Sequence, residues 1–121
     1  VPLNQDVIFD HNGVTTAGII HAPNTAGILI VNAGDYKVDF STSGVQESQF
    51  ALFLDGSPVG GTTYGSGAGT QQNTGQAIIT IGAGGVLSLN NHTSSAAVGL
   101  QTLAGGTQTN TNASVTIEKL G

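Results

Sequence analysis

The sequence predicts an all-β protein, an antiparallel sandwich of about ten short strands, and three observations lead there. No window places apolar residues at i, i+3, i+4 and i+7 without glycine or clustered β-branched residues intervening, which disfavours helix throughout. The 19 glycines in 121 residues gather with Asn and Asp into frequent turn signals. Several stretches alternate strictly: Tyr36, Val38 and Phe40 with Lys37, Asp39 and Ser41, and Val115 and Ile117 with Ser114, Thr116 and Glu118. That alternation marks strands with one face on a core and one in water.

Taken in order, Val7 to Phe9 reads as a first strand closed by Asp10-His11-Asn12-Gly13, and Thr15 to His21 as a second ending at Ala22-Pro23-Asn24. Gly27 to Asn32 carries the run Ile28-Leu29-Ile30-Val31, and Ala33-Gly34-Asp35 turns into the strand of Tyr36, Val38 and Phe40. Ser48 to Tyr64 reads as a hairpin, because Asp55-Gly56 suits the positive φ angles of a tight turn. Its second arm, with Pro58, Gly60 and Gly61, suits an edge or a bulge. Gly65 to Asn73 follows as a polar loop, and Gln76 to Ile81 and Val86 to Leu89 are expected to form a hairpin through Gly82-Ala83-Gly84-Gly85. Ala96 to Leu103, with Val98 and Leu100, is expected as a strand, then Ala104 to Thr111 as a second polar loop and Ala113 to Leu120 as the last strand. This succession is expected to form one domain over 1–121, with a jelly roll as the leading arrangement.

A sandwich covers the inner face of each sheet and leaves the outer faces in water. Phe50, Leu52 and Leu54 share one face of their strand, so Phe53 points the other way, and Ile28 to Val31 and Ile78-Ile79 raise the same difficulty. A second copy of the chain is the simplest cover, which predicts a closed homo-oligomer with Phe53, Leu29, Val31 and Ile78 as contact residues. The alternative is that strand twist or loops hide these side chains within one chain.

Charged residues are 7% of the chain against about 25% in an ordinary domain, and 9 Ser, 15 Thr, 9 Asn and 8 Gln supply the polar surface instead. With a net charge of -5 and only Lys37 and Lys119 as cations, nucleic acid and anionic membrane surfaces are excluded as partners. No stretch is long and apolar enough for membrane insertion by a helix. The chain has no cysteine, so disulfides, thiolate metal sites and thiol nucleophiles do not arise. It begins at Val1 rather than Met, as expected of a processed piece.

Chemistry is sparse. His11, His21 and His92 stand in or beside turns without the spacing of a metal pair, and neither metal nor cofactor is expected. Asp10 beside His11, and Ser94 and Ser95 near His92, lack the geometry of a nucleophile and its base, since sequence neighbours on a strand end point to opposite sides. Asp6, Asp10, Asp35, Asp39, Glu47, Asp55 and Glu118 are scattered, and Asp10, Asp35 and Asp55 read as turn formers. Two carboxylates meeting from distant strands would be needed for glycosidase chemistry. The expectation is a protein that is not an enzyme. Asn91-His92-Thr93 and Asn112-Ala113-Ser114 match the glycosylation acceptor pattern.

Gly34-Asp35-Tyr36-Lys37-Val38-Asp39-Phe40, then Gln49-Phe50-Ala51-Leu52-Phe53-Leu54-Asp55-Gly56-Ser57-Pro58-Val59, resembles the pattern of tumour necrosis factor-like and complement-type globular heads. Closer still is the resemblance to the C-terminal domains of Bacillus collagen-like exosporium glycoproteins (BclA-like). Gly61 to Gly67, Gly84-Gly85-Val86-Leu87-Ser88-Leu89 and Asn112 to Leu120 carry it on, so it covers the chain from about Gly27 to its end. The resemblance implies a jelly roll of tumour necrosis factor-like type that assembles as a homotrimer, nucleates an upstream collagen-like stalk and sits extracellularly at the tip of spore-surface filaments. It brings no catalytic residues. A carbohydrate- or receptor-binding module of the same sandwich is the alternative, with Tyr64 or the loops Gly65 to Asn73 and Ala104 to Thr111 touching a glycan or host receptor.

Overall fold

The computed structural model describes residues 1–67, 72–94, 96–102 and 111–121, and among them nine strands lie in two antiparallel sheets. The larger sheet runs β1 (Ile19–Ile20), β2 (Ile28–Ile30), β8 (Gly85–Asn91), β4 (Ser48–Leu54) and β5 (Ser57–Pro58), with β6 (Tyr64–Ser66) also paired to β4. The smaller runs β7 (Gln72–Ile81), β3 (Gly34–Ser43) and β9 (Ala113–Lys119). The chain is an all-β sandwich.

Alternation places each strand as its sequence requires. In β3 the side chains of Tyr36, Val38, Phe40 and Thr42 are buried while Asp35 and Lys37 are exposed. Asp55 and Gly56 take φ angles of 52° and 82°, and the tight turn they make sets Leu54 opposite Ser57. Beyond Pro58 the second arm leaves β4 and returns as β6, where Tyr64 lies opposite Phe50. Thr62 holds the excursion: its Oγ1 donates to the Val59 carbonyl at 2.7 Å and accepts from the Leu52 amide at 3.2 Å. That is the bulged edge expected of Pro58, Gly60 and Gly61.

A single register joins distant parts of the chain. Ile28 faces Leu87, Gly34 faces Ile81 and Ser43 faces Gln72, with Ser48 then opposite Ser66. The chain from β2 to β8 is therefore one long antiparallel ribbon closed at Asp55-Gly56. It bends from one sheet to the other between β2 and β3 and again between β3 and β4, and its winding brings β8 beside β4 and β9 beside β3.

Several expected elements differ. The strand expected over Thr15 to His21 is confined to Ile19–Ile20, and the loop expected over Gly65 to Asn73 is strand at both ends, in β6 and in β7. Gly82 to Gly85 does not close a hairpin, because β7 pairs with β3 while β8 pairs with β2 and β4. It is a crossover between sheets, with Gly84 at φ 79° and its amide bonded to the Ile30 carbonyl. Ala96 to Leu103 is not a strand over its described residues, 96–102. One bridge, Gly44 to Leu100, forms there, and the Val98 amide bonds the Val1 carbonyl, so Val98 enters the core from an irregular segment. Val7 to Phe9 likewise makes isolated bridges, Asp6 to Asn90 and Phe9 to Thr25, since the nearby β8 edge is divided between this segment and β2. The loop tracts 68–71 and 104–110, and Ser95, lie outside the described residues.

The core is built from both sheets: Tyr36, Val38, Phe40, Ile79 and Ile81 from the smaller, and Ile28, Ile30, Phe50, Leu52, Leu87 and Leu89 from the larger, with Val7 and Val98 added by the irregular segments. Each such side chain contributes about 1.5–3 kcal/mol by leaving water. Tyr36 keeps its hydroxyl satisfied by donating to the Asn32 carbonyl at 2.7 Å. The N-terminus is stitched to the same end of the sandwich. Its ammonium group donates to the Val98 carbonyl, and Asn91 Nδ2 donates to the Val1 carbonyl at 2.8 Å.

The two outer faces differ in chemistry. By register, β3, β7 and β9 present Asp35, Lys37, Asp39, Thr80, Gln76, Thr116 and Glu118 outward, with Ile78 as an apolar exception beside Lys37. On the larger sheet, Ile20, Leu29 and Val86 form one cross-strand row, with Ile20 52% and Val86 40% exposed.

Candidate functional site

Three of the carboxylates serve local structure. Asp35 Oδ1 accepts from the Thr80 hydroxyl at 2.6 Å, Asp55 Oδ1 from the Val86 amide at 2.8 Å, and Asp6 Oδ1 from Asn90 Nδ2 at 2.9 Å. Asp35 and Asp55 thus fix strand ends, as their turn positions imply. Among the described residues no group of three or more His, Asp or Glu could hold a metal ion. Ser94 gives its hydroxyl to the Gln49 carbonyl at 3.0 Å and accepts from the Gln49 amide at 2.8 Å, a structural tie. Asp10 and His11 are both exposed. Of the two glycosylation patterns, Asn91 is fully buried and its Nδ2 is engaged by the Val1 carbonyl, so this acceptor is closed to modification, while Asn112 is half-buried.

Two surfaces remain. The first is a cleft of about 640 Å³ between the segment 8–16 and β9, with Ile8, Phe9, Ile19, Ile28, Val115 and Ile117 among its lining residues. It exists because β9 pairs with β3 along one edge and, among the described residues, no strand pairs with the other. Antiparallel geometry turns every second residue's N–H and C=O to each side. Ser43 and Asp35 of β3 engage the backbone of Asn112 and Leu120, so Ala113, Val115, Ile117 and Lys119 turn theirs toward the cleft. The inward side chains of Val115 and Ile117 are only half-buried as a result. Sequence patterning reads β9 well but does not report whether its second edge is covered, so the cleft was not legible there.

The second surface comprises the outer faces with their apolar residues. The sequence singled out Phe53, Leu29, Val31 and Ile78 together, and the structure divides them. Leu29 and Phe53 belong to the outer face of the larger sheet, with Val31 just beyond β2 and 40% exposed, and Ile78 lies on the opposite side of the molecule, 70% exposed. Phe53 is half-buried and meets an intrachain neighbour, the His92 ring, edge-on at 5.1 Å between centroids. Ile20 and Val86, which complete the Leu29 row, were missed because each sits in a stretch whose partner strand is fixed only by the fold.

Tyr64 is built into the sandwich. Its hydroxyl donates to the Gln76 carbonyl at 2.9 Å, and its ring packs edge-on against Phe40 at 5.8 Å. It borders the end of the sheet at which Ser48, Gln49, Gly65, Ser66, Thr93 and Ser94 form a shallow polar depression, where Glu47 is the charged group. Neither a protein-family model nor a curated protein sequence matches the chain.

Proposed function

We propose that this chain is the structural, trimerising head of a collagen-like surface glycoprotein, a jelly roll of tumour necrosis factor-like type standing extracellularly on the spore surface, with no catalytic role. The observation that carries the reading is the division of apolar surface between two unlike faces. Leu29, Ile20 and Val86 stand in a row on one sheet, and Ile78 stands alone in a polar field on the other. A two-fold dimer pairs a patch with itself, whereas a head-to-tail assembly joins two different patches at every contact, and a cyclic trimer is the smallest closed ring of that kind after a pair. The unbroken register from Ile28–Leu87 to Ser43–Gln72 supports the jelly-roll assignment, since such a fold is a long antiparallel ribbon wound across two sheets. The sparsity of charge and the engagement of Asp35 and Asp55 in strand-end hydrogen bonds support a structural role over a catalytic one.

A head that trimerises holds three stalks in register and spares them the entropy of finding one another. Fusing a short Gly-Pro-Pro repeat before Val1 tests this directly. With the head attached, the repeat is expected to show the circular dichroism of a triple helix at micromolar chain concentration. Helix formation no better than that of the repeat alone contradicts the proposed role. The second reading, a glycan- or receptor-binding module, finds its support in the cleft beside β9 rather than in Tyr64, whose hydroxyl is already engaged.

A further inference from the structure

Of the nine asparagines in the chain, Asn12 alone is followed by glycine. The pair stands on the wall of the cleft beside β9, with Asn12 half-buried and Gly13 exposed. Gly13 has no positive φ, and a Cβ there would meet nothing within 4 Å. Among the described residues its amide finds no acceptor. The Gly13 nitrogen is therefore open, and with no Cβ beside it a neighbouring group can approach closely.

The Asn12 side chain, by contrast, is held at both ends. Its Nδ2 donates to the His21 carbonyl at 2.6 Å, and its Oδ1 lies 2.5 Å from His21 Nδ1. The first bond fixes which end of the carboxamide is oxygen, since a flip would set two oxygens face to face. Oδ1 only accepts, so Nδ1 is the donor in the second bond. The carboxamide cannot swing onto the main chain until both bonds let go.

We propose that Asn12 is a site of self-modification, restrained by its tie to His21 and unable to remake that tie in full once converted. The Gly13 backbone nitrogen bonds to Asn12 Cγ, and its proton leaves with the side-chain nitrogen as ammonia. Solvent water then opens the five-membered imide at one carbonyl or the other, giving aspartate or isoaspartate. The attack is intramolecular, so it needs only that the two atoms be brought into line. Exposed Asn24 lacks this opportunity, because the β-branched Thr25 crowds the next amide.

Both products have oxygen where Nδ2 was, and the donor to the His21 carbonyl is gone. Aspartate retains an acceptor for Nδ1, whereas isoaspartate routes the main chain through Cγ and carries its carboxylate on Cα instead. Either product adds a negative charge near Asp10, which is the carboxylate among the cleft residues. The wall beside β9 thus becomes more acidic with time, at a rate set by how often the tie opens.

The test is peptide mapping by mass spectrometry on the whole chain held folded in mildly alkaline buffer, with isoaspartate scored by its enzymatic methylation. Conversion is expected at Asn12 ahead of every other asparagine, Asn24 included. Gly13→Ala, for which the fold has room, should slow it about tenfold by displacing the attacking nitrogen. His21→Ala should speed it about fivefold, the effect of removing one hydrogen bond from the carboxamide, with the fully buried Asn91 still unconverted. Conversion at Asn12 no faster than at Asn24, or an unchanged rate in Gly13→Ala, overturns the site. A rate in His21→Ala equal to or below that of the unaltered chain overturns the restraint.

Discussion

Alanine at Gly75 lowers the unfolding free energy by about 3 kcal/mol, the upper part of the usual range for overpacking. Gly75 faces Phe40 across the β3–β7 pair, and the Phe40 and Tyr64 rings close edge-on over it. A Cβ there would stand 2.3 Å from Tyr64 Cδ1 and 2.5 Å from Phe40 Cε2, far inside contact distance. Neither ring has an easy way out. Phe40 is buried among the core residues, and Tyr64 is anchored through its hydroxyl to the Gln76 carbonyl. The effect is read as a fall in the urea midpoint with an unchanged slope. Gly82→Ala is the control, since a Cβ at Gly82 meets nothing within 4 Å. Equal midpoints for the two variants would show that the aromatic lid over Gly75 yields freely.

Aspartate at Leu29 or at Ile78 weakens the proposed trimer about a hundredfold, or about 3 kcal/mol, because each buries an unpaired carboxylate in a subunit contact. Both should leave the fold intact, since Leu29 is only half-buried and Ile78 is largely exposed. The two variants separate a head-to-tail contact from a symmetric one. Leu29→Asp keeps a working Ile78 patch and Ile78→Asp keeps a working Leu29 patch, so an equimolar mixture should form a two-chain species and go no further. A mixture that recovers full trimers contradicts the use of two unlike patches. Phe53→Asp is expected to act more weakly than Leu29→Asp, because the Phe53 ring is already covered in part by His92.

The legible parts of the fold were those set by local chemistry. Tyr36, Val38 and Phe40 alternate because their strand has one wet face, and Asp55-Gly56 turns because both residues accept positive φ. What was not legible depends on which strand lies beside which. Gly82 to Gly85 has the composition of a hairpin turn, yet the strands it joins belong to different sheets, a consequence of ribbon winding that no window of residues encodes. Val98 reads as a strand residue because it and Leu100 are the apolar residues of Ala96 to Leu103, but its backbone partner is the chain's first residue. The candidate surfaces divide in the same way. Leu29, Val31, Phe53 and Ile78 were singled out from alternation and from the continuous apolar runs Ile28 to Val31 and Ile78-Ile79, while the cleft needed the edge of β9 that no strand pairs among the described residues.

The most direct measurement is the mass of the folded chain in solution by multi-angle light scattering at micromolar concentration. A closed trimer gives three times the 12.0 kDa chain mass, independent of dilution over that range. A single mass of 12.0 kDa contradicts the trimeric head and leaves Leu29, Ile20, Val86 and Ile78 as solvated surface of a monomer.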